Sequence, residues 1–456
     1  MPAISPLSAL LVPWVLVLTL ASLPGVLGNK LSQGTWTFAL LCVFSLATGI
    51  LAGWLVPRRV SDTKESVHQV ATGDSFPQIV ARWHCAFTVA LIAWSAIQVS
   101  NAWPLVKQMG GLNVVFSASG GVGGEYKYQL TKSRLELVQG SFDSASALTG
   151  ALGYLLFLGH IALFTGAILW VMGRKTVAVL PLIAIAGYSL FSLQRTSFFM
   201  AGLLFLSSVY LVKKSGVVRN FARSKKRRVP IVTVGAVGLA AAVLLYPLQQ
   251  RNAGTSNSTG LLSVGQYIVA SISGLNARID PVSSAVSMPL SDMPGSTAPF
   301  PGYGAYTFGG LFSILVRLGL PLSRAPQALD YHWVNLFGQS STTNTGSFFL
   351  DLYLDFGMVG MIAVSFMLGL AAGLTYKMCL GGEVWILPAA AFFFVTTLWS
   401  FFGNAIIGDF RFLYMTVIAC LFLRRFFRWR WKEEALFNDA SFAEPEHNEP
   451  KVRVVY

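Results

Sequence analysis

Charge is scarce in this chain: Asp, Glu, Lys and Arg make up 11% of its 456 residues. A soluble protein carries about a quarter. With 54% hydrophobic residues and a mean hydropathy of +0.60, the chain reads as a polytopic membrane protein whose length is used in spans. Cysteine is rare too. Cys42, Cys85, Cys379 and Cys420 lie in or beside apolar segments without CxxC or Cys/His spacing, which predicts neither a disulfide framework nor a metal site. Residues 1–29 hold no charged side chain, so the basic start of a cleaved signal is missing and the first segment reads as a retained span. A Walker A sequence is absent, which leaves no sign of ATP drive. The glycines of Ser119–Gly124 lack the strand-turn-helix setting of a dinucleotide fingerprint.

What the chain does have is apolar segments of about twenty residues. Ten are read as helices, near 7–28, 35–56, 80–102, 147–171, 176–193, 196–212, 230–248, 356–376, 384–402 and 409–424. The pair 176–212 reads as a tight helical hairpin turning at Arg195. The net charge of +14 does not point to nucleic acid, because the basic runs abut apolar segments. Lys213-Lys214, Lys225–Arg228 and Arg424–Lys432 form a positive-inside pattern, with anionic lipid headgroups as natural contacts. Placing the 213–229 loop in the cytoplasm puts both termini there and most Lys and Arg on that side. The chain then divides into seven helices over 1–248, a large extracytoplasmic loop over 249–355, three helices over 356–424, and a tail over 425–456 expected to be disordered. Within the loop, Tyr267–Ile279 reads as a short helix and Gly310–Leu318 as an interfacial one.

A polar stretch this long is uncommon in a compact fold and usually functional. Three arginines stand out on the outer side: Arg195 between two apolar helices, Arg251 just after the seventh segment, and Arg411 at the start of the last. Charges at such depth mark function by default. The guanidinium fork suits phosphate and pyrophosphate, whereas the plainer reading is that each arginine snorkels to headgroups or pairs with an acid. Asp351 and Asp355 are four apart and share a face if helical. A carboxylate against an apolar wall can serve as general base toward a sugar hydroxyl, although Asp355 could equally cap the helix that follows. His332 and Trp333 sit in Asp330-Tyr-His-Trp-Val334, and with Tyr353 they offer aromatic faces for sugar rings. His84 and His160 fall inside spans and read as bundle-interior polar residues.

The run Asn344-Thr-Gly-Ser-Phe-Phe-Leu-Asp-Leu-Tyr-Leu-Asp-Phe-Gly-Met-Val-Gly360 resembles the bacterial O-antigen and oligosaccharide repeat-unit polymerases (Wzy-type). These carry a large outer loop and then Tyr-x-Asp-Phe-Gly-x-x-Gly opening a span, here Tyr353 to Gly360. The turn Arg195-Thr-Ser197 is a second likeness, and together they cover about residues 176–424. The resemblance implies an all-helical, GT-C-like fold in the bacterial inner membrane. It implies transfer of a growing glycan from undecaprenyl pyrophosphate onto the next lipid-linked repeat unit. No metal or other cofactor is expected, since the first outer loop holds no acid. Pyrophosphate contacts carry over onto Arg195 and Arg251, and further onto Arg278 and Arg411. Asp355 or Asp280 then activates the acceptor hydroxyl, and the motif glycines allow close helix packing. A flippase and a chain-length regulator are the implied protein partners. A lipid-glycan ligase of similar architecture is the nearest rival. A transporter comes next, disfavoured because charges cluster at segment ends, and a purely structural subunit last.

Overall fold

The computed structural model describes residues 4–23, 31–57, 76–111, 152–192, 195–216, 269–276, 307–308, 311, 315, 334–336, 341–343, 347–403 and 410–441. Nine helices dominate these residues: α1 (Pro6–Ser22), α2 (Gln33–Leu55), α3 (Phe76–Gln108), α4 (Leu152–Val171), α5 (Leu180–Ser192), α6 (Arg195–Ser215), α7 (Phe348–Leu380), α8 (Leu387–Trp399) and α9 (Phe410–Ser441). Five stretches are long and apolar enough to cross a membrane: Gln33–Leu55, Gln78–Gln108, Leu152–Val171, Ser197–Ser215 and Phe348–Leu380. Pro6–Ser22, Lys175–Ser189 and Val384–Trp399 are shorter apolar helical stretches. Nine of the ten segments read from the sequence coincide with these helices, and 230–248 lies outside the described residues.

The structure departs from the sequence reading at two helix boundaries and in one added element. α7 starts at Phe348 rather than 356, because the motif itself is helical. α9 runs on to Ser441, well into the segment expected to be a disordered tail; Glu433, Glu434, Ala435 and Leu436 are good helix formers that extend an existing helix without a new nucleus. A small antiparallel ribbon also interrupts the helical pattern, Val334–Leu336 pairing with Ser341–Thr343. Three-residue strands are too short to show a period-two signal. Residues 269–276 are helical, as Tyr267–Ile279 led one to expect.

The most extensive helix pair joins α2 and α7, which run parallel. The Ser45 hydroxyl donates to the Ile362 carbonyl at 2.6 Å, and further along both helices Lys377 Nζ donates to the Trp54 and Val56 carbonyls at 2.7 Å. Between these points lie Gly49-x-x-x-Gly53 on α2 and Gly369-x-x-x-Gly373 on α7. A Cβ on Gly49 would collide with the Phe366 carbonyl oxygen, and one on Gly369 with that of Leu46. The two backbones touch, which lets dispersion hold helices that gain no hydrophobic drive from lipid.

The bundle has two distinguishable ends. At one, Tyr210 of α6 and Tyr376 of α7 both donate to the Ile4 carbonyl at 2.6 Å, and Arg424 of α9 lies 5.3 Å over the Trp385 ring. Lys213, Lys214, Lys377 and Arg425 gather there, so we call it the basic end. At the other, pieces of the long loop dock. The Ser271 hydroxyl donates to the Phe401 carbonyl at 2.6 Å, and Asn276 Oδ1 accepts the Ser32 N–H and the Thr35 hydroxyl, both at 2.8 Å. Asn276 thereby completes the N-cap of α2 from a remote segment. α6, α7 and α9 all start at this loop end and finish at the basic end.

Buried histidines behave as bundle-interior groups. His84 of α3 is bonded to the Thr165 hydroxyl at 3.1 Å and the Val177 carbonyl at 2.9 Å, tying α3 to α4 and to the turn before α5. That arrangement satisfies a polar ring that would otherwise be stranded in hydrocarbon.

Candidate functional site at the loop end

Gly357 divides α7 into a nine-residue head and a long shaft. Its φ of 68° and ψ of −174° fall in a region open essentially to glycine alone. Directly after it, Gly360 has no side chain because the Phe356 side chain occupies that space. The motif glycines therefore shape α7 itself. This corrects the expectation that they serve close packing between helices, which falls instead to Gly369 and Gly373 against α2. None of the residues from Ser347 to Gly357 is exposed, so the head is enclosed by protein.

Asp355 is the penultimate residue of the head and is 1% exposed. Its Oδ2 accepts the Thr307 N–H at 2.5 Å, a charge-assisted bond that draws the long loop onto the bend in α7. The chain leaves helical geometry at Gly357, two residues after Asp355, while Ser347 stands at the N-cap position of the head. Asp351, one turn earlier, lies in the first turn, where a carboxylate complements the helix dipole. Tyr353 is half-buried and meets the Phe38 ring of α2 edge-on at 5.6 Å.

Beside the head, α8 reaches its end. The Phe348 N–H donates to the Ser400 carbonyl at 3.1 Å, and Trp14 Nε1 of α1 donates to Ser400 Oγ at 2.9 Å. Trp399 packs on Phe402 at 4.9 Å and on Phe199 of α6 at 6.1 Å. Arg195 opens α6 one helical turn before Phe199. Across the bundle, Arg411 in the first turn of α9 places its guanidinium 5.2 Å over the Phe157 ring. His160 stacks on that same ring at 4.0 Å and donates Nδ1–H to the Phe157 carbonyl at 2.9 Å. Trp94 meets Phe157 edge-on at 5.6 Å, so an aromatic wall of α3 and α4 backs the arginine.

Two arginines thus stand in the first turns of helices whose positive dipole ends face the same side. Helix starts carry partial positive charge, so this side of the bundle suits an anion. Of the residues singled out from the sequence, the structure brings Arg195, Arg411, Tyr353 and Asp355 to this end. Arg251, Arg278, Asp280, His332 and Trp333 lie outside the described residues. Sequence reasoning passed over Thr307, Ser347, Asn276, Phe157 and Trp399. Only Ser347 carried a signal, as a small hydroxyl residue before an apolar run. No protein-family model, curated protein or solved structure matches the chain.

Proposed function

We propose that the chain is a membrane glycosyltransferase that polymerises undecaprenyl-pyrophosphate-linked oligosaccharide repeat units into a surface polysaccharide at the outer face of a bacterial inner membrane. The observation that carries this reading is the convergence at one end of the bundle. Helix α6 begins on Arg195 there, α9 carries Arg411 in its first turn, and at the same end the motif acid Asp355 binds the long loop. Such an end suits a pyrophosphate carried on a lipid.

In this reading Arg195, Arg251 and Arg411, with Arg278 beside them, hold the donor pyrophosphate. They stabilise the charge that develops as the bond from the anomeric carbon to pyrophosphate breaks. The acceptor hydroxyl forms the new bond to the anomeric carbon and gives up its proton to a carboxylate acting as general base. Asp355 is enclosed and engaged with Thr307, so it acts by positioning the loop and the proton falls to Asp280. His332, Trp333 and Tyr353 supply sugar-binding surface. The reaction needs no metal or soluble cofactor, and a flippase and a chain-length regulator are natural partners in the membrane.

Ten crossings in a GT-C-like arrangement belong to the same proposal. α6 finishes at the basic end while α7 starts at the loop end, which calls for an odd number of crossings between them. The apolar segment 230–248 supplies one. Both α1 at Ile4 and α9 at Arg424 then present their outer ends to the basic, cytoplasmic side.

Gel analysis of surface and lipid-linked glycans from a strain lacking this chain tests the reading. A ladder collapsed to single repeats, restored by the wild-type chain and not by Arg411→Ala, is the expected result. Long glycans stranded on the lipid carrier would reassign the chain as a ligase. An unchanged profile would remove the glycosyltransferase reading.

A further inference from the structure

Enclosed polar groups in proteins nearly always find a hydrogen-bond partner. Four side-chain groups among the described residues have none: Ser95 Oγ, Ser347 Oγ, Ser365 Oγ and Trp399 Nε1. Ser95 and Ser365 stand alone within helix interiors. Ser347 and Trp399 flank one backbone bond, from the Phe348 N–H to the Ser400 carbonyl, where the start of α7 meets the end of α8.

Equivalent residues elsewhere in the chain are satisfied. Ser5 and Ser32, the N-caps of α1 and α2, accept backbone N–H groups in the ordinary capping geometry. Ser347 occupies the same position on α7, is 1% exposed, and makes no cap bond. The Trp14 indole donates to Ser400, whereas the Trp399 indole one residue away donates to nothing.

We infer that Ser347 Oγ and Trp399 Nε1 form a hydrogen-bonding subsite for a phosphate oxygen of a lipid-linked phosphate. This inference rests on the polymerase reading above and adds two residues to it. An indole N–H only donates, and a hydroxyl can donate beside it. The start of the α7 head adds partial positive charge, so the complementary group is an anionic oxygen and not a cation. Phe348, Phe199 and Phe402 line the surroundings, which suits a phosphate on an apolar chain better than a free sugar. Arg195, one turn before Phe199, begins the helix that packs on Trp399.

Two single-group deletions test this: Ser347→Ala removes one hydroxyl, and Trp399→Phe removes the N–H while keeping an aromatic side chain. Wild type and variants are placed in lipid nanodiscs, and thermal unfolding is followed with increasing inorganic pyrophosphate. Because the deleted hydroxyl has no protein partner, Ser347→Ala should unfold at the wild-type temperature or above it, whereas Trp399→Phe also gives up indole packing on Phe199 and Phe402 and should unfold somewhat lower, so its protection is read against its own ligand-free temperature. The pyrophosphate concentration giving half-maximal protection should rise on the order of tenfold. Polymer yield from the purified lipid-linked repeat unit should fall in parallel. Unchanged pyrophosphate protection in both variants would mean that water alone satisfies the two groups, and would overturn the subsite. So would a wild type indifferent to pyrophosphate. Lost protection by anionic phospholipid with normal polymer yield would assign the subsite to bilayer lipid and overturn its role toward substrate. Each of these results leaves the polymerase reading intact if the deletion strain still collapses to single repeats. An unchanged glycan profile in that strain removes the polymerase reading itself.

Discussion

The head and the shaft of α7 belong to one helix and obey different rules. The shaft presses its glycines against α2 so closely that backbone meets backbone, and it turns Met358, Val359 and Met367 outward toward lipid. The head has no fully exposed residue, anchors the long loop through Asp355, and leaves the Ser347 hydroxyl unpartnered. Contact in the shaft is spent on holding the bundle together. Polar groups in the head tie the long loop to the helix instead. A membrane protein can thus build its scaffold and its site from adjacent stretches of one helix, provided a residue like Gly357 lets the chain change direction between them.

Breaking the shaft should have the largest effect. Gly369→Leu puts a branched side chain where the Leu46 carbonyl sits, and overpacking of that kind costs about 3 kcal/mol. Loss of the monodisperse detergent-solubilised species is expected, visible by fluorescence-detected size exclusion. Gly357→Ala comes next, at about 2 kcal/mol of backbone strain. Here the protein should still accumulate with a lowered unfolding temperature, and polymer yield should drop further than the lost stability explains. An alanine variant with full polymer length would show that the bend is dispensable.

Substitutions in the head sharpen the contrast. Asp355→Ala strands the Thr307 N–H and removes a charge-assisted bond worth about 2 kcal/mol. Limited proteolysis should cut the long loop faster while the helices stay resistant. Equal cutting rates would mean that Asp355 does not hold the loop. The smallest change is expected from Phe157→Leu, which removes the ring beneath Arg411 and about 1 kcal/mol of cation–π attraction. If the ring orients the guanidinium toward substrate, the apparent KM should rise several-fold with the unfolding temperature nearly constant, and Phe157→Tyr should restore it.

Much of the scaffold was legible beforehand. Twenty-residue apolar segments announce helices whatever their partners, and basic runs beside them mark one end of the bundle as the basic one. The acids and arginines at the loop end were likewise visible, because charge in so apolar a chain stands out. Other features were out of reach. Gly49-x-x-x-Gly53 and Gly369-x-x-x-Gly373 show the right spacing, yet nothing in either segment says that the two face each other across more than three hundred residues. The motif glycines were assigned to helix contacts when Gly357 in fact serves a backbone angle.

By itself, then, the amino-acid order determined that this is a helical membrane protein, where its apolar segments lie, and which polar residues stand apart from them. These are properties of local composition, decided by transfer of side chains between water and hydrocarbon. Tertiary structure alone decided that α2 and α7 run parallel in contact, that Asp355 receives the Thr307 N–H, and that Ser347 and Trp399, on either side of the bond from the Phe348 N–H to the Ser400 carbonyl, make no side-chain hydrogen bond. Those outcomes depend on which segments meet. A hydrogen bond or a close backbone approach between distant residues is a property of the pair, and neither residue carries it alone.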